Sequence, residues 1–245
     1  MSRKPSISAA IPSTADFTDC AYPFPITTPS PTDGAASAAL AAAPSSAEPQ
    51  PERVRASDAA RRRRFAWAVT GSGHFLTEAL ALAFRLPDVD FFLSAAAAEV
   101  LPLYDYPIDG LKERFRVFRD KSASGRPVGM LYDDVYHTVV VAPATSNTVA
   151  KCALGLSDTL PTNMFAQAGK LGIPGIVFAC DTEPVVITRS PSDWVEVRPR
   201  NIDLENVERL RRVDHCRVVE SVATLEQALN ARLAELSLKW TTLSS

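Results

Sequence analysis

The chain has 245 residues, a hydrophobic content of 46% and a formal net charge of −2. This balance excludes a strongly basic nucleic-acid-binding protein, and no apolar run approaches the roughly 20 residues that cross a bilayer. We therefore expect a soluble globular protein with no nucleic-acid and no membrane partner.

The cysteines and histidines indicate neither a disulfide framework nor a metal site. The four cysteines are far apart and form no CxxC pair, and the three histidines lack the paired spacing of metal ligands. The basic residues near the N-terminus are not followed by the apolar stretch of a secretory signal. We expect reduced thiols and a cytoplasmic location.

The N-terminal quarter differs in composition from the rest. Nine of the 19 prolines fall within the first 51 residues, among tracts of Ala, Ser and Thr. Such a segment has little apolar surface to bury, so we predict a disordered extension at residues 1–62 and an ordered domain at residues 63–240. The arginine run at residues 61–64 is either a patch for an anionic ligand or, as we expect, the solvated flank of a buried strand.

From residue 65 onward, short apolar runs alternate with segments of helical spacing. The first half of the ordered domain predicts a strand at 65–69, helix at 75–84, strand at 89–93, helices at 95–101 and 111–119, and strand at 138–142. The strands are nearly continuously apolar, as is typical of strands covered on both faces.

The second half continues the alternation and adds a hairpin. It predicts helices at 148–156 and 162–171, a strand at 176–179, a β-hairpin from 185–188 and 194–197, a helix at 204–210, a strand at 217–219 and a helix at 225–236. Strands joined through helices imply right-handed crossovers and a parallel sheet. The predicted fold class is α/β, a doubly wound (Rossmann-like) parallel sheet with a small C-terminal β-hairpin.

Two loops that follow predicted strands are candidates for phosphate binding, because ligands of doubly wound sheets lie beyond the carboxyl ends of the strands. Gly71, Ser72 and Gly73 lead into a helix, whose N-terminus favours anions. They lack the lysine of a Walker A loop and the third glycine of a dinucleotide fingerprint. The loop either binds phosphate or only joins strand to helix. Ser94 either caps the next helix or contacts phosphate.

The loop after the strand at 138–142 carries the most polar groups. It consists of Pro143, Ala144, Thr145, Ser146, Asn147 and Thr148. A carboxamide both donates and accepts hydrogen bonds, which suits the edge of an isoalloxazine or a pterin. Ser, Thr and Asn also favour helix N-caps, so spacing alone does not decide between the two roles.

Two stretches around this loop resemble a known family. Residues 142–151, followed by residues 155–160 with Asp158, resemble the hallmark of the flavoprotein superfamily, which includes homo-oligomeric flavin-containing cysteine decarboxylases and flavin prenyltransferases. Residues 70–74 fit its flavin-phosphate loop. Residues 198–208, together with Asn163 and Gln167, are similar to the branch of dihydromethanopterin reductases (acceptor) and archaeal-type flavoproteins. The resemblance covers about residues 65–236.

The resemblance implies an FMN-dependent enzyme. Members of that branch reduce dihydromethanopterin to tetrahydromethanopterin, which here implies hydride transfer from reduced flavin. It also implies a homo-oligomer with the flavin near a subunit interface and an electron donor that the sequence does not identify. The implied cofactor-binding residues are Gly71, Ser72, Gly73, His74, Ser94, Pro143, Ala144, Thr145, Ser146, Asn147 and Thr148. The implied catalytic residues are Asn147 and Asp181, and no metal is implied.

One departure from the superfamily pattern bears on the reaction. Cysteine decarboxylases carry Pro-x-Met-Asn after the strand that corresponds to residues 176–179, where this chain has Ala179, Cys180, Asp181 and Thr182. This disfavours decarboxylation. Asp181 either faces the pterin or caps a turn. The alternatives to a pterin reductase are an electron-transfer flavoprotein that docks a redox partner, or a decarboxylase or prenyltransferase type of enzyme.

The remaining histidines and thiols have plain explanations. His74 either contacts phosphate or substrate or simply begins a helix, and we expect His137 to be structural. Cys152 fits a small buried position on a helix. Cys180 is the one thiol near the carboxyl end of a predicted strand, where either a redox or a packing role is open.

Overall fold

The computed structural model of the protein describes residues 63–121 and 126–241. The disordered extension predicted at residues 1–62 lies outside the described residues.

Six strands form one parallel sheet in the order β3-β2-β1-β4-β5-β8. They are β1 (Arg64–Val69), β2 (Val89–Leu93), β3 (Arg116–Arg119), β4 (Tyr136–Ala144), β5 (Gly175–Ala179) and β8 (Cys216–Val219). Two further strands, β6 (Val186–Arg189) and β7 (Trp194–Val197), pair antiparallel as a separate hairpin. The doubly wound α/β fold and its C-terminal hairpin are therefore confirmed.

Helices cover both faces of the sheet. They are α1 (Leu76–Ala83), α2 (Ala95–Val100), α3 (Ile108–Arg114), α4 (Arg126–Gly129), α5 (Ser146–Ala153), α6 (Leu160–Lys170), α7 (Asn201–Leu210) and α8 (Val222–Glu235), with a 3-10 turn at Leu101–Tyr104. One apolar cluster joins the sheet to α1 and α8, and the other joins it to α5, α6 and α7. Neighbouring residues of β2 show the division, since Phe91 packs in the first cluster and Phe92 in the second.

One predicted element is wrong. Residues 111–119 do not form a single helix: α3 ends at Arg114, and Arg116–Arg119 is the edge strand β3. Phe115 packs on Phe91, whereas Phe118 stacks on Phe92, so the two rings reach opposite faces of the sheet. A continuous helix could not place them there.

Two boundaries shift around the polar loop. Strand β4 continues through Pro143 and Ala144, which the sequence had assigned to the loop, and both are buried. Helix α5 begins at Ser146 instead of residue 148, because the Thr145 side chain caps it by accepting from Thr148 N.

The topology creates a crevice at one edge of the sheet. The chain winds outward from β1 through β2 to β3, and then returns to β4 on the other side of β1. The loops after β1 and β4 therefore diverge toward opposite faces, which is where ligands of such sheets bind. Within the described part of the chain, no helix is both long enough and apolar enough to cross a membrane.

Candidate functional site

Side chains of β1 and of the residue that follows it join the ends of the two central strands, β1 and β4. The last pair of the β1–β4 ladder is Ala68 with Val141, so the two carbonyl groups that follow in β4 have no ladder partner from β1. Trp67 Nε1 donates to Ala142 O at 2.8 Å, and Thr70 Oγ1 donates to Pro143 O at 2.7 Å. We call this contact region, formed by Trp67, Thr70 and residues 142–145, the β1–β4 seam.

The polar loop splits into engaged and open groups. Thr145 Oγ1 accepts from Thr148 N at 3.2 Å and lies 3.1 Å from Thr148 Oγ1. Ser146 Oγ donates to the carboxylate of Asp181. Asn147 is exposed, and its carboxamide has no hydrogen-bond partner among the described residues. Asn147 is thus the group of this loop that is open to a ligand.

Asp181 lies beside the first turn of α5. Its carboxylate accepts from Ser146 Oγ, and the neighbouring Cys180 N donates to Ala144 O at 3.1 Å. These two bonds join the ends of β4 and β5. Within residues 63–121 and 126–241, no Lys, Arg or His forms an ion pair with Asp181. The structure places Asp181 against the first turn of α5, where its carboxylate accepts from Ser146 Oγ. Its role toward a pterin stays a prediction.

The glycine loop packs closely against the next crossover. A Cβ added at Gly71 would lie 2.6 Å from Ala96 Cβ, and one added at Gly73 would lie 1.9 Å from the Tyr104 hydroxyl oxygen. Tyr104 in turn donates to Arg189 O at 2.8 Å, which connects this loop region to the hairpin. Contact with Ala96 therefore disfavours a larger residue at Gly71, whereas a side chain at Gly73 would displace the ring of Tyr104.

Ser72 connects the glycine loop to the end of β5. Its Oγ lies 3.3 Å from Cys180 Sγ and 3.4 Å from His74 O. Cys180 Sγ also lies 3.7 Å from His74 O. The first and last loops of the crevice are thus held together through these three residues.

His74 is half-buried at the rim of the crevice. Its ring centroid lies 3.7 Å from that of Phe75, and Phe75 stacks on Phe178 of β5. Burial lowers the pKa of His74, while the nearby carboxylates of Asp181 and Glu78 oppose that shift. The net effect favours a neutral imidazole at pH 7.

Ser94 caps α2, as the first of its two predicted roles requires. Ala97 N donates to Ser94 Oγ at 3.0 Å, and Ser94 N donates to Val69 O at 3.0 Å, which joins the ends of β2 and β1. A hydroxyl that accepts one bond still has a proton to donate. The cap therefore leaves Ser94 able to donate to an anion in the crevice.

Cys180 is buried, and burial raises the pKa of its thiol to about 12. The same cause raises the pKa of Cys152 and Cys216 to about 12. Neutral thiols are poor nucleophiles, so packing is the better explanation of all three than thiolate chemistry.

The structure brings the predicted site residues to one edge of the sheet. The glycine loop, Ser94, residues 143–148 and Asp181 follow β1, β2, β4 and β5 in turn. Sequence reasoning missed Trp67, and it placed Thr70 in the flavin-phosphate loop without foreseeing its bonds to Pro143 and Thr145. A tryptophan inside a buried strand was the available signal, because its indole N–H needs an acceptor.

A separate cavity of about 350 Å³ lies away from these loops. It is bounded by residues before β5 and β8, such as Ile173 and Val213, and by Leu156 and Phe165 of the α5–α6 region. These positions lie at the amino ends of the strands, whereas the predicted site residues lie at the carboxyl ends.

The chain matches a family model and curated relatives. The model named Flavoprotein matches residues 53–237. An uncharacterized protein of Methanocaldococcus jannaschii is 35% identical over 68% of this chain and 94% of that protein. Dihydromethanopterin reductase (acceptor) of Methanosarcina mazei is 38% identical, but the match covers 53% of this chain and only 59% of the reductase.

Solved structures give a second comparison. DmrB of Burkholderia xenovorans in complex with FMN, described as a cubic protein cage for redox transfer, is 66% identical. The match has a TM-score of 0.68 and covers 72% of this chain and 98% of DmrB. The FMN-dependent cysteine decarboxylase SpaF shares the fold, with a TM-score of 0.51, but at 17% identity that likeness extends to the fold alone.

Proposed function

This chain belongs to the Flavoprotein family, and on that premise we propose that it is an FMN-dependent oxidoreductase that reduces dihydromethanopterin to tetrahydromethanopterin. The family expected from residues 142–151 is thereby confirmed. Reduced FMN, when bound, supplies the hydride for the C=N bond of the pterin, and the protein positions both rings and excludes water.

The observation that carries the proposal is the 66% identity to DmrB, which holds FMN, over 98% of the DmrB chain. Identity at this level makes a shared cofactor site the expectation. The pterin substrate is supported by the name of the Methanosarcina mazei reductase, of which this chain matches little more than half.

The residues at the crevice fit a flavin phosphate. The backbone amides of Gly71, Gly73 and His74 make no hydrogen bond within the described chain, and they precede the N-terminus of α1. Ser94 can donate from the N-terminus of α2. Amides and hydroxyls gathered at helix N-termini are the donor set that a phosphate needs.

The residues of the polar loop fit the ring of the flavin. We propose that Asn147 contacts the flavin edge, since its carboxamide is exposed and without a partner. Thr145 and Ser146 hold that loop in place through their own bonds to Thr148 and Asp181. We further propose that the Asp181 carboxylate accepts from the amino and ring N–H groups of the pterin, which makes it a catalytic residue together with Asn147.

A rapid-mixing experiment tests the reaction. FMN reduced on the purified protein is mixed with dihydromethanopterin, and the flavin absorbance is followed. We expect fast reoxidation in a single turnover.

The competing function, electron transfer to a docked protein, is favoured by the description of DmrB as a cage for redox transfer. Reoxidation by a ferredoxin-like protein but not by the pterin would contradict the reductase proposal.

The cofactor site is tested with a matched pair of variants. Asn147→Ala removes the open carboxamide, and we expect FMN affinity to fall about tenfold, because a lost hydrogen bond to a bound group costs on the order of 1 kcal/mol. Asn201→Ala, at an exposed position that begins α7, is the control. If Asn147→Ala binds FMN as tightly as Asn201→Ala and the wild type do, Asn147 does not contact the cofactor.

The proposal extends to organisation and location. We propose that the FMN-binding domain spans residues 63–240 and that the protein forms a homo-oligomer with the flavin near a subunit interface. The cage formed by DmrB supports the oligomer.

We also propose a cytoplasmic location, which the unpaired state of Cys152, Cys180 and Cys216 supports.

A further inference from the structure

At the end of strand β4, two backbone carbonyl groups accept hydrogen bonds from side chains. Pro143 has no N–H, and the pairing of β4 with β5 shifts register between Val141 and Ala144. The carbonyl groups of Ala142 and Pro143 are buried, so each needs a donor from elsewhere. These donors come from Trp67 and Thr70 of β1 and its loop.

Thr70 bonds to a second backbone group besides the carbonyl of Pro143. Thr70 is 2% exposed, and its Oγ1 both donates to Pro143 O at 2.7 Å and accepts from Thr145 N at 3.0 Å. One hydroxyl therefore bridges two backbone groups on either side of Ala144. Since Thr70 also begins the glycine loop, the same residue fixes that loop to the polar loop.

We propose that Thr70 is the positioning residue that sets the distance between the glycine loop and the Asn147 loop, and so prepares the FMN site before the cofactor binds. This inference rests on the proposed function. Without the Oγ1 atom, the amide of Thr145 loses its acceptor, and the residues that lead into α5 can take other positions. A site that is only partly populated in its binding form has a proportionally weaker apparent affinity.

The first measurement uses the apoprotein of the wild type. Backbone hydrogen exchange is followed by NMR at the amides of Thr145 and Asn147. We expect Thr145 N–H to be protected by its bond to Thr70, and Asn147 N–H, in the first turn of α5, to exchange faster. Equal exchange at both amides would overturn the inference, whatever the behaviour of any variant.

The second measurement compares variants of Thr70. Thr70→Val keeps the shape but loses the hydroxyl, and Thr70→Ser keeps the hydroxyl. We expect FMN affinity to fall at least about tenfold in Thr70→Val and to be largely restored in Thr70→Ser. Titration of FMN fluorescence gives the dissociation constant, and urea unfolding of the apoprotein gives the stability separately.

Thr138→Val is the matched control. Thr138 is also fully buried, and its Oγ1 accepts from Arg232 Nε at 2.8 Å, but it lies near the amino end of β4. We expect this variant to lose stability and to keep its FMN affinity. Equal weakening of FMN in Thr138→Val and Thr70→Val would assign a merely structural role to Thr70.

The outcomes separate the two proposals. A wild-type protein that takes up no FMN overturns the proposed function, and the inference with it. A wild type that binds FMN, with a Thr70→Val variant that binds it equally well, overturns the inference alone.

Discussion

His137 has a buried ring nitrogen that finds no hydrogen-bond partner in the part of the chain that the structure describes. Its Nδ1 lies 2.8 Å from Thr138 Oγ1 and its ring packs edge-on against Phe65, while Nε2 makes no hydrogen bond to any described residue. Burial, followed by the positive charges of Arg232 and Arg63, lowers the pKa of His137 to about 4. The ring is therefore neutral in the folded protein near pH 7, as the structural role predicted for it requires.

This pKa makes stability dependent on pH. The unfolded chain, with an ordinary histidine pKa of about 6.5, binds more protons than the folded chain between that pH and about pH 4. Stability therefore decreases as pH falls through this window. We expect His137 to account for a loss of about 2 kcal/mol in the free energy of unfolding between pH 7.5 and pH 5.

The variant His137→Asn isolates this contribution. It keeps a polar group near Thr138 but does not titrate, so the pH dependence of its urea unfolding should be flatter than that of the wild type. The comparison cancels the contributions of the other two histidines and of the carboxylates. Parallel curves for the two proteins would show that His137 titrates normally.

At the level of single residues, the sequence predicts which loops form the site but not which atoms are free in it. Thr145, Ser146 and Asn147 were equally plausible ligand contacts, because capping and ligand binding select the same residue types. The structure separates them through long-range partners: Ser146 bonds to Asp181, which is 35 residues away. No local pattern reports such a partner.

Among the elements, the contact between the glycine loop and α2 can be tested directly. In Gly71→Ala the new methyl group would overlap Ala96 Cβ, and we expect a loss of about 1–3 kcal/mol in stability from the forced shift. Ala96→Gly removes the obstructing group. The double variant should therefore be more stable than the sum of the single effects predicts, as urea unfolding of all four proteins would show. Strict additivity would mean that the two positions do not touch.

The elements themselves were largely predictable, and the exception has a physical cause. The buried strands β1, β2, β4 and β5 are short, largely apolar runs, and their length and composition identify them in the sequence. The edge strand β3 has only four residues and begins and ends with an arginine, so its composition resembles a helix surface. Leu111, Phe115 and Phe118 happen to have helical spacing. The pairing of β3 with β2 places the rings of Phe115 and Phe118 on opposite faces of the sheet, and this pairing cannot be read from the local sequence.

At the scale of the whole molecule, the hairpin of β6 and β7 carries large apolar side chains that are exposed. Ile187 is 65% exposed and Trp194 is 66% exposed, and the register places both on the same face of the ribbon. A two-stranded ribbon alone is marginally stable in water, and exposed apolar patches commonly mark protein interfaces. If the chain forms the homo-oligomer proposed above, a second copy is the partner that we expect at this face.

The assembly is tested by its mass. We expect the wild-type protein to elute as a homo-oligomer in size-exclusion chromatography with light scattering. Trp194→Glu places a charge on the exposed face of the hairpin, so the mass should fall in the variant while its circular dichroism stays the same. A wild type that is monomeric at micromolar concentration would contradict the proposed oligomer, and an unchanged mass in the variant would exclude the hairpin from the interface.

The indole of Trp67 gives the β1–β4 seam an optical signature. The chain has three tryptophans, and Trp67 is fully buried and bonded to Ala142 O, whereas Trp194 is largely exposed to water. The emission of Trp67 should therefore lie at shorter wavelengths than the emission of Trp194. A flavin held by the adjoining loops would absorb that emission and quench it. The natural fluorescence of one core residue can thus report the occupancy of the cofactor site in unlabelled protein.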